Sequence, residues 1–216
     1  NFDLSQNKLN QYPELIHALS YVKSACASAN LKQGVLSEEK TKVIKQACEK
    51  VLSNEFNQWF AVDMIQGGAG TSTNMNANEV ITNIGLEILG KEKGEYDYLH
   101  PNTDVNMSQS TNDVYPTSVR LAILLKQRDL LTAISQLSQA FTDKGESFDG
   151  ILKLARTQLQ DAVPMTLGQE FKGFASTLLE DVKLIETISK LLTEVNLGGT
   201  AVGTGINTKH GYSDIA

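Results

Sequence analysis

Residues 167–195 read LGQEFKGFASTLLEDVKLIETISKLLTEV, and this stretch decides the fold class. Its apolar or small side chains recur every three or four residues over about eight helical turns. They are Leu167, Phe171, Phe174, Leu178, Val182, Ile185, Ser189, Leu192 and Val195. Thr166 and Gln169, just after Pro164, have the spacing of a capping box. The stretch therefore predicts one long α-helix with an apolar stripe.

A second long helix is predicted from residues 121–141, LAILLKQRDLLTAISQLSQAF. Its stripe consists of Leu121, Leu124, Arg128, Leu131, Ile134, Leu137 and Phe141. Stripes on helices this long need partner helices, so we predict a helical bundle. Two long helices are too few to close a bundle, so either other chains complete it or most of it lies outside these residues.

The fold class we predict is mainly α, with a small N-terminal helical domain over residues 1–110. Residues 111–216 are expected to be the first, incomplete part of the bundle domain. In the small domain, Pro13 is suited to open one helix and Ser37 to cap a second. A third helix is predicted over about residues 74–89, residues 91–110 read as an irregular polar loop, and few strand signals compete.

Composition narrows the possible classes of function. The 216 residues are 41% hydrophobic and 20% charged, as in an ordinary globular protein. A formal net charge of −6 argues against non-specific nucleic-acid binding and against docking on anionic membranes. The longest fully apolar run, Leu121–Leu125, is too short to cross a membrane, and no signal peptide is visible. Because residue 1 is Asn1 rather than Met, we expect a longer chain.

Cysteine and histidine residues show no pattern of a redox or metal centre. Cys26 and Cys48 fall on apolar helix faces without a helical His or Lys partner for a thiol, so we expect core packing in a reducing, cytoplasmic compartment. His17, His100 and His210 lack zinc-like spacing. We therefore predict no metal site.

The glycine-containing loops over residues 67–72 and 198–205 match neither the P-loop nor the dinucleotide-binding fingerprint, so no nucleotide cofactor is predicted. No Ser-His-Asp arrangement or nucleophile elbow occurs either.

Three clusters of hydroxyl and amide side chains precede predicted helices. They are GTSTN at residues 70–74, SQSTND at residues 108–113 and RTQ at residues 156–158. Free N–H groups and the positive dipole end at a helix start suit a carboxylate, and Ser, Thr and Asn add uncharged donors. Two interpretations stay open at this point: the clusters converge on a small dicarboxylate, or each one caps its own helix.

Four segments in order resemble the motifs of the aspartase/fumarase superfamily, over about residues 10–210. The first is QGGAGTSTNMNANEV at residues 66–80, and the second is HPNTDVN with SQSTND at residues 100–113. The third is RTQLQDAVPM at residues 156–165, and the fourth is GTAVGTGINT at residues 199–208.

Within this superfamily the chain is more similar to the aspartate ammonia-lyases than to the class II fumarases. Residues 67–72 read GGAGTS where fumarases read Thr-Gly-Ser-Gly-Thr-Gln, and Thr111 and Gln158 replace a fumarase Ser and His. Two further residues agree, Tyr115 and Arg120. His100 alone resembles the fumarase loop. Class II fumarase is therefore the alternative enzyme, and a catalytically incomplete structural or binding protein is the alternative that is not an enzyme.

The resemblance implies reversible deamination of L-aspartate to fumarate and ammonia through an enediolate-like intermediate, without a cofactor. It maps the family's carboxylate donors onto Thr71, Ser110 and Thr111, with Thr157 as a contributor. It assigns the substrate amino group to Asn112 and Gln158. Gln158 cannot titrate, so we expect it to bind substrate rather than to transfer a proton.

The resemblance also implies what these residues lack. The family's general base is a serine in a Gly-Ser-Ser loop that is absent here, so we expect it beyond Ala216. The family forms cytoplasmic homotetramers whose active sites combine three subunits, which would complete the bundle. L-aspartate, fumarate and further copies of the chain are thus the expected partners, with no nucleic acid and no membrane.

Overall fold

The computed structural model describes residues 4–216, so Asn1 lies outside the described residues. In the described part five α-helices and one antiparallel hairpin occur, so the prediction of a mainly α fold is confirmed. The helices are α1 (Pro13–Lys32), α2 (Glu38–Val51), α3 (Thr71–Ile88), α4 (Thr111–Ser147) and α5 (Leu167–Leu191). The hairpin strands are β1 (Leu152–Thr157) and β2 (Gln160–Thr166).

Helix starts follow the local signals in the sequence. Pro13 opens α1, where its missing N–H is not needed. The Ser37 side chain accepts the Lys40 backbone N–H at the start of α2. Thr166 and Gln169 form both hydrogen bonds of the capping box before α5. These three predictions are confirmed.

Two helix boundaries differ from the predicted ones. The third helix begins at Thr71, a few residues earlier than expected, because Gly70 adopts φ +86° and turns the chain directly into the helix. The last helix ends at Leu191, although the apolar spacing continues to Val195. Periodicity therefore overestimated α5 by its final turn.

The chain divides into two compact units. The first consists of Asn1–Ile123 with Glu194–Ala216, and the second of Leu124–Thr193. The core of the first unit is built by apolar side chains of α1, α2, α3 and the start of α4. Its fully buried members include Leu19, Ile44, Ile81, Leu86, Leu99 and Val114. The predicted domain boundary at residue 110 stays a prediction.

The segment predicted as an irregular loop contains a short π-helical turn, Pro101–Val105. His100 caps it, because its Nδ1 accepts the backbone N–H groups of Asn102 at 3.0 Å and Thr103 at 3.2 Å. Pro101 occupies the first position of this turn, which suits proline because its missing N–H is not needed there.

In the second unit, β1 and β2 pair in antiparallel fashion. The same unit contains an aromatic cluster whose rings pack edge to face, consisting of Phe141, Phe148, Phe171 and Phe174. The turn between the strands is Gln158–Leu159, with φ of 49° and 65°. The prediction that RTQ at residues 156–158 lies at a helix start was wrong. These residues end β1 and enter the turn, because Thr157 pairs with Gln160 across the hairpin.

Candidate active site

The first two hydroxyl clusters meet where α3 and α4 begin. Gly70 lies against the ring of Tyr115 on α4, and a Cβ atom at Gly70 would be 2.4 Å from Tyr115 Cδ1. Thr71 follows as the first, exposed residue of α3. Asn74, one turn further on, donates its side-chain N–H to Thr111 Oγ1 at 3.3 Å. The structure thus places the two clusters in contact.

Ser110 and Thr111 each have a hydroxyl oxygen that already accepts a hydrogen bond. Ser110 Oγ accepts the Asn112 backbone N–H at 3.2 Å, and Thr111 Oγ1 accepts from Asn74. Both residues are partly exposed. Because no donation by either hydroxyl within the described residues 4–216 is seen, each O–H proton is available to donate to a carboxylate.

Asn112 is exposed, and both its side-chain amide and its backbone carbonyl form hydrogen bonds. Its Nδ2 donates to the Ala201 carbonyl at 2.7 Å, and its own carbonyl accepts from Asn196 Nδ2 at 3.1 Å. With Nδ2 occupied, the side-chain Oδ1 is the group that can accept from a ligand. An ammonium group is such a donor.

Asp113 is a site residue that sequence reasoning missed. Its buried carboxylate accepts three backbone N–H bonds, from Ser110 at 2.9 Å and from Gly198 and Thr200 at 3.0 Å each. It thereby connects the second motif to the fourth. Thr200 adopts φ +56°, an uncommon conformation for a β-branched residue, in the loop that Asp113 holds.

Lys23 on α1 is the second residue that was missed, and it is fully buried beneath Thr111 and its neighbours. Its Nζ donates to Asn74 Oδ1 at 2.7 Å, Gln109 Oε1 at 2.8 Å and Asn106 Oδ1 at 2.9 Å. Burial lowers the pKa of Lys23 to about 7. The sequence does contain a signal: Lys23 lies four residues after Leu19 on the apolar face of the helix.

The two cysteines pack in the core, as predicted. Burial raises the pKa of Cys26 to about 11 and that of Cys48 to about 12, so both thiols are protonated near neutral pH. Lys23, three residues before Cys26 on α1, interacts electrostatically with both thiols and opposes the shift. Burial is the larger effect, and a reactive thiolate is not formed.

The three histidines lie in separate structural settings. His17 Nε2 is 2.8 Å from Asn54 Oδ1, His100 caps the short turn, and the His210 carbonyl accepts from Gln33. Within residues 4–216, no group of three or more His, Cys, Asp or Glu side chains is arranged to hold a metal ion. In the same range no helix is both long and apolar enough to cross a membrane.

Thr157 and Gln158 belong to the second compact unit. Thr157 is the exposed last residue of β1, and Gln158 is exposed in the hairpin turn. The structure places Ser110, Thr111 and Asn112 together at the start of α4. Thr71 lies in the same unit at the start of α3, next to Gly70, which lies against Tyr115 of α4. A role of Thr157 and Gln158 in the same site stays a prediction.

Several lyases are similar to this chain over its whole length. A protein-family model described as Lyase matches residues 1–216. Aspartate ammonia-lyase from Pseudomonas aeruginosa is 59% identical over 217 residues, which cover 100% of this chain and 46% of that protein.

Two solved structures are similar in fold as well. The cobalt-bound fumarate lyase:delta crystallin from Brucella melitensis has a TM-score of 0.94 at 55% identity, over 99% of this chain and 46% of its own. Class II fumarase from Schistosoma mansoni has a TM-score of 0.89 at 33% identity, over 99% of this chain and 45% of its own.

The chain spans under half the length of these relatives. The resemblance that the four motifs indicated is confirmed, with higher identity to the aspartate ammonia-lyase than to the fumarase. Because the family model matches every residue from 1 to 216, the chain belongs to the lyase family.

Proposed function

We propose that the full-length protein is an aspartate ammonia-lyase that converts L-aspartate reversibly to fumarate and ammonia. One observation carries the proposal: the partly exposed hydroxyls of Ser110 and Thr111, whose O–H protons are available to donate, adjoin Asn112, whose Oδ1 is available to accept. The hydroxyl donors suit the substrate carboxylate that gains negative charge, and the Asn112 acceptor suits the amino group that leaves. The aspartate ammonia-lyase at 59% identity supports the same choice.

The chemistry explains why neutral donors suit this site. Removal of the Cβ proton of aspartate places additional negative charge on the adjacent carboxylate, so the site must stabilise an enediolate-like species. Thr71, Ser110 and Thr111 would donate to its oxygens, with Thr157 contributing. Uncharged donors bind the carboxylate without neutralising it before the reaction begins.

The amino group would be held by Asn112, with Gln158 assisting from the hairpin turn. Gln158 has no titratable group, so it can orient the leaving ammonia but not protonate it. We assign the general base to a serine outside residues 1–216. Neither a metal nor an organic cofactor is needed for this scheme.

We also propose a cytoplasmic homotetramer with active sites assembled from several subunits. The support is the row of apolar side chains along α4 and α5 that remain partly exposed in this chain. Its half-exposed members include Leu130, Leu137, Leu179, Leu184, Ile188 and Leu191. Packing of these side chains against helices of other subunits would complete the bundle.

A class II fumarase is the second candidate, favoured by His100 and by the fold of the Schistosoma mansoni enzyme. Both enzymes form fumarate, which absorbs ultraviolet light, so one assay separates them. We expect the full-length protein to form fumarate from L-aspartate and not from L-malate. Fumarate formation from L-malate alone would overturn the proposal.

The Asn112→Ala variant tests the site itself. Loss of a hydrogen bond to a charged amino group costs about 1.5–3 kcal/mol, so kcat/KM for L-aspartate should fall roughly ten- to a hundred-fold. Asn10→Ala, at a partly exposed asparagine outside the four motifs, is the matched control and should retain activity. Unchanged kcat/KM in Asn112→Ala would show that the site is assigned wrongly.

A further inference from the structure

A buried lysine lies two hydrogen bonds behind the hydroxyl of Thr111, because Lys23 donates to Asn74 and Asn74 donates to Thr111. Three oxygen acceptors, on Asn74, Asn106 and Gln109, surround Lys23 Nζ, one for each N–H of the protonated amine, so these contacts favour the charged form against the burial that lowers its pKa to about 7. We call these three side chains the amide cluster. Asn74 belongs to the first motif, whereas Asn106 and Gln109 belong to the second. One side chain from α1 therefore holds both motifs.

The contacts with Lys23 fix which way the Asn74 amide points. Its Oδ1 faces the ammonium at 2.7 Å, so its Nδ2 must face the other way. That Nδ2 donates to Thr111 Oγ1 at 3.3 Å and to Asn106 Oδ1 at 3.1 Å. Asn106 Oδ1 also accepts from Lys23 and from Asn78 Nδ2, so its orientation is fixed by the same donors.

The direction of the Asn74 amide decides what the Thr111 hydroxyl can do. With Nδ2 toward Thr111, the hydroxyl oxygen accepts and the O–H proton points away from the protein interior. With the amide reversed, Thr111 would donate its proton inward to Asn74 Oδ1 and would present no donor to a ligand. Lys23 thus begins a chain of donors that runs through Asn74 and ends on Thr111.

The cost of burying Lys23 favours a role beyond folding. A fully buried ammonium loses its hydration, and replacing a buried charged group with an apolar one of similar size is often neutral or stabilising. The three hydrogen-bond partners of the Lys23 amine are amide oxygens, although the side chain itself is fully buried. A methionine would fill the same space without needing three amide partners.

We propose that Lys23 is a positioning residue of the lyase site, which orients Asn74 so that the Thr111 hydroxyl donates to the substrate carboxylate. The inference rests on the proposed function, because it requires Thr111 to contact substrate. Lys23 itself is buried and acts only through Asn74 and Thr111.

A double-mutant cycle in the full-length protein tests this inference. Thr111→Val removes the donor and should lower kcat roughly a hundred-fold. Lys23→Met removes the ammonium but keeps the length of the side chain, and we expect it to lower kcat by about ten-fold or more, with a smaller change in KM. In the double variant, Lys23→Met should add no further loss, since the group it acts through is already gone.

Ser110→Ala supplies the matched control cycle. Ser110 is oriented by the Asn112 backbone and not by the amide cluster. In the double variant of Ser110→Ala and Lys23→Met, the fold losses in kcat of the two single variants should therefore multiply. If the losses in kcat also multiply in the double variant of Thr111→Val and Lys23→Met, Lys23 acts generally on the fold and the inference is overturned.

Asn74→Asp keeps the inference testable if Lys23→Met does not fold. A carboxylate at this position still accepts from Lys23, but its second oxygen accepts the Thr111 proton instead of donating to Thr111. We expect a protein that still folds, because the carboxylate pairs with Lys23, but with some loss of thermal stability, because the hydrogen bond to Asn106 is lost. Its kcat should be close to that of Thr111→Val. Wild-type kcat in Asn74→Asp would overturn the inference.

The outcomes separate this inference from the proposed function. If Thr111→Val retains wild-type turnover of L-aspartate, Thr111 does not contact substrate, and both proposals fail at this residue. If Thr111→Val is impaired while Lys23→Met or Asn74→Asp is fully active, the proposed function stands and only the role of Lys23 is refuted.

Discussion

Gly70 determines how closely the two hydroxyl clusters approach each other. Its φ of +86° lies in the left-handed region, and its missing side chain leaves room for the Tyr115 ring. Gly68, two residues earlier, also has a left-handed φ of +94°, but nothing lies within 4 Å of its absent Cβ. Comparing the two glycines therefore distinguishes the cost of backbone strain, which both share, from the cost of steric contact, which only Gly70 has.

Gly70→Ala should therefore destabilise the protein more than Gly68→Ala. Each alanine pays about 1–2 kcal/mol for the left-handed backbone, and only the one at residue 70 also displaces an aromatic ring, at about 1–3 kcal/mol more. Denaturant unfolding of the full-length variants measures the difference. If the free energy of unfolding falls equally in the two variants, the contact with Tyr115 contributes nothing to the difference.

At this scale the sequence predicted residues whose chemistry is visible locally and missed those defined by distant partners. Ser110, Thr111 and Asn112 form one cluster with hydroxyl and amide groups in a row, so they could be singled out. Lys23 was missed, because its place on the apolar helix face was a weak signal and a lysine in a helix is usually solvated. Its acceptors are 51, 83 and 86 residues away in the sequence.

At the scale of elements, helices were predictable because their signals are local. The capping residues Ser37 and Thr166 lie next to the helices they begin. The hairpin was missed because its strand signal is weak: β1 alternates only at Leu152, Lys153 and Leu154, and β2 shows no apolar alternation and contains Pro164. In the structure Leu152 and Leu154 are exposed, and Lys153 between them is half-buried and pairs with Glu170 at 2.6 Å.

The capping box of α5 should contribute measurably to stability. Thr166→Ala removes the acceptor of the Gln169 backbone N–H at 3.0 Å, so we expect a loss of about 1 kcal/mol. Thr187→Ala, at an exposed threonine within the same helix, should change stability by less than about 0.5 kcal/mol. Thermal unfolding of both variants provides the comparison, and equal melting temperatures would contradict a capping role.

At the scale of the whole molecule, the first compact unit is discontinuous in sequence. The chain leaves it after Ile123 and returns at Glu194. The returning segment carries the fourth motif, and Asp113 binds it through the N–H groups of Gly198 and Thr200. Motifs separated by about eighty residues thereby become parts of one site, a relation that sequence order alone does not reveal.

Asp113→Asn should loosen the returning segment selectively. A carboxamide has one acceptor oxygen, and its NH2 group would face a backbone N–H, so at least one of the three bonds is lost, at about 1–3 kcal/mol. Hydrogen exchange at Gly198 and Thr200 should accelerate, while exchange in the core of α1 stays slow. Asp214→Asn, at an exposed aspartate of the same segment, is the control and should leave all these rates unchanged. If Gly198 and Thr200 exchange as slowly in Asp113→Asn as in the wild type, the carboxylate does not hold the segment, and its neighbours Asn196 and Asn112 must do so.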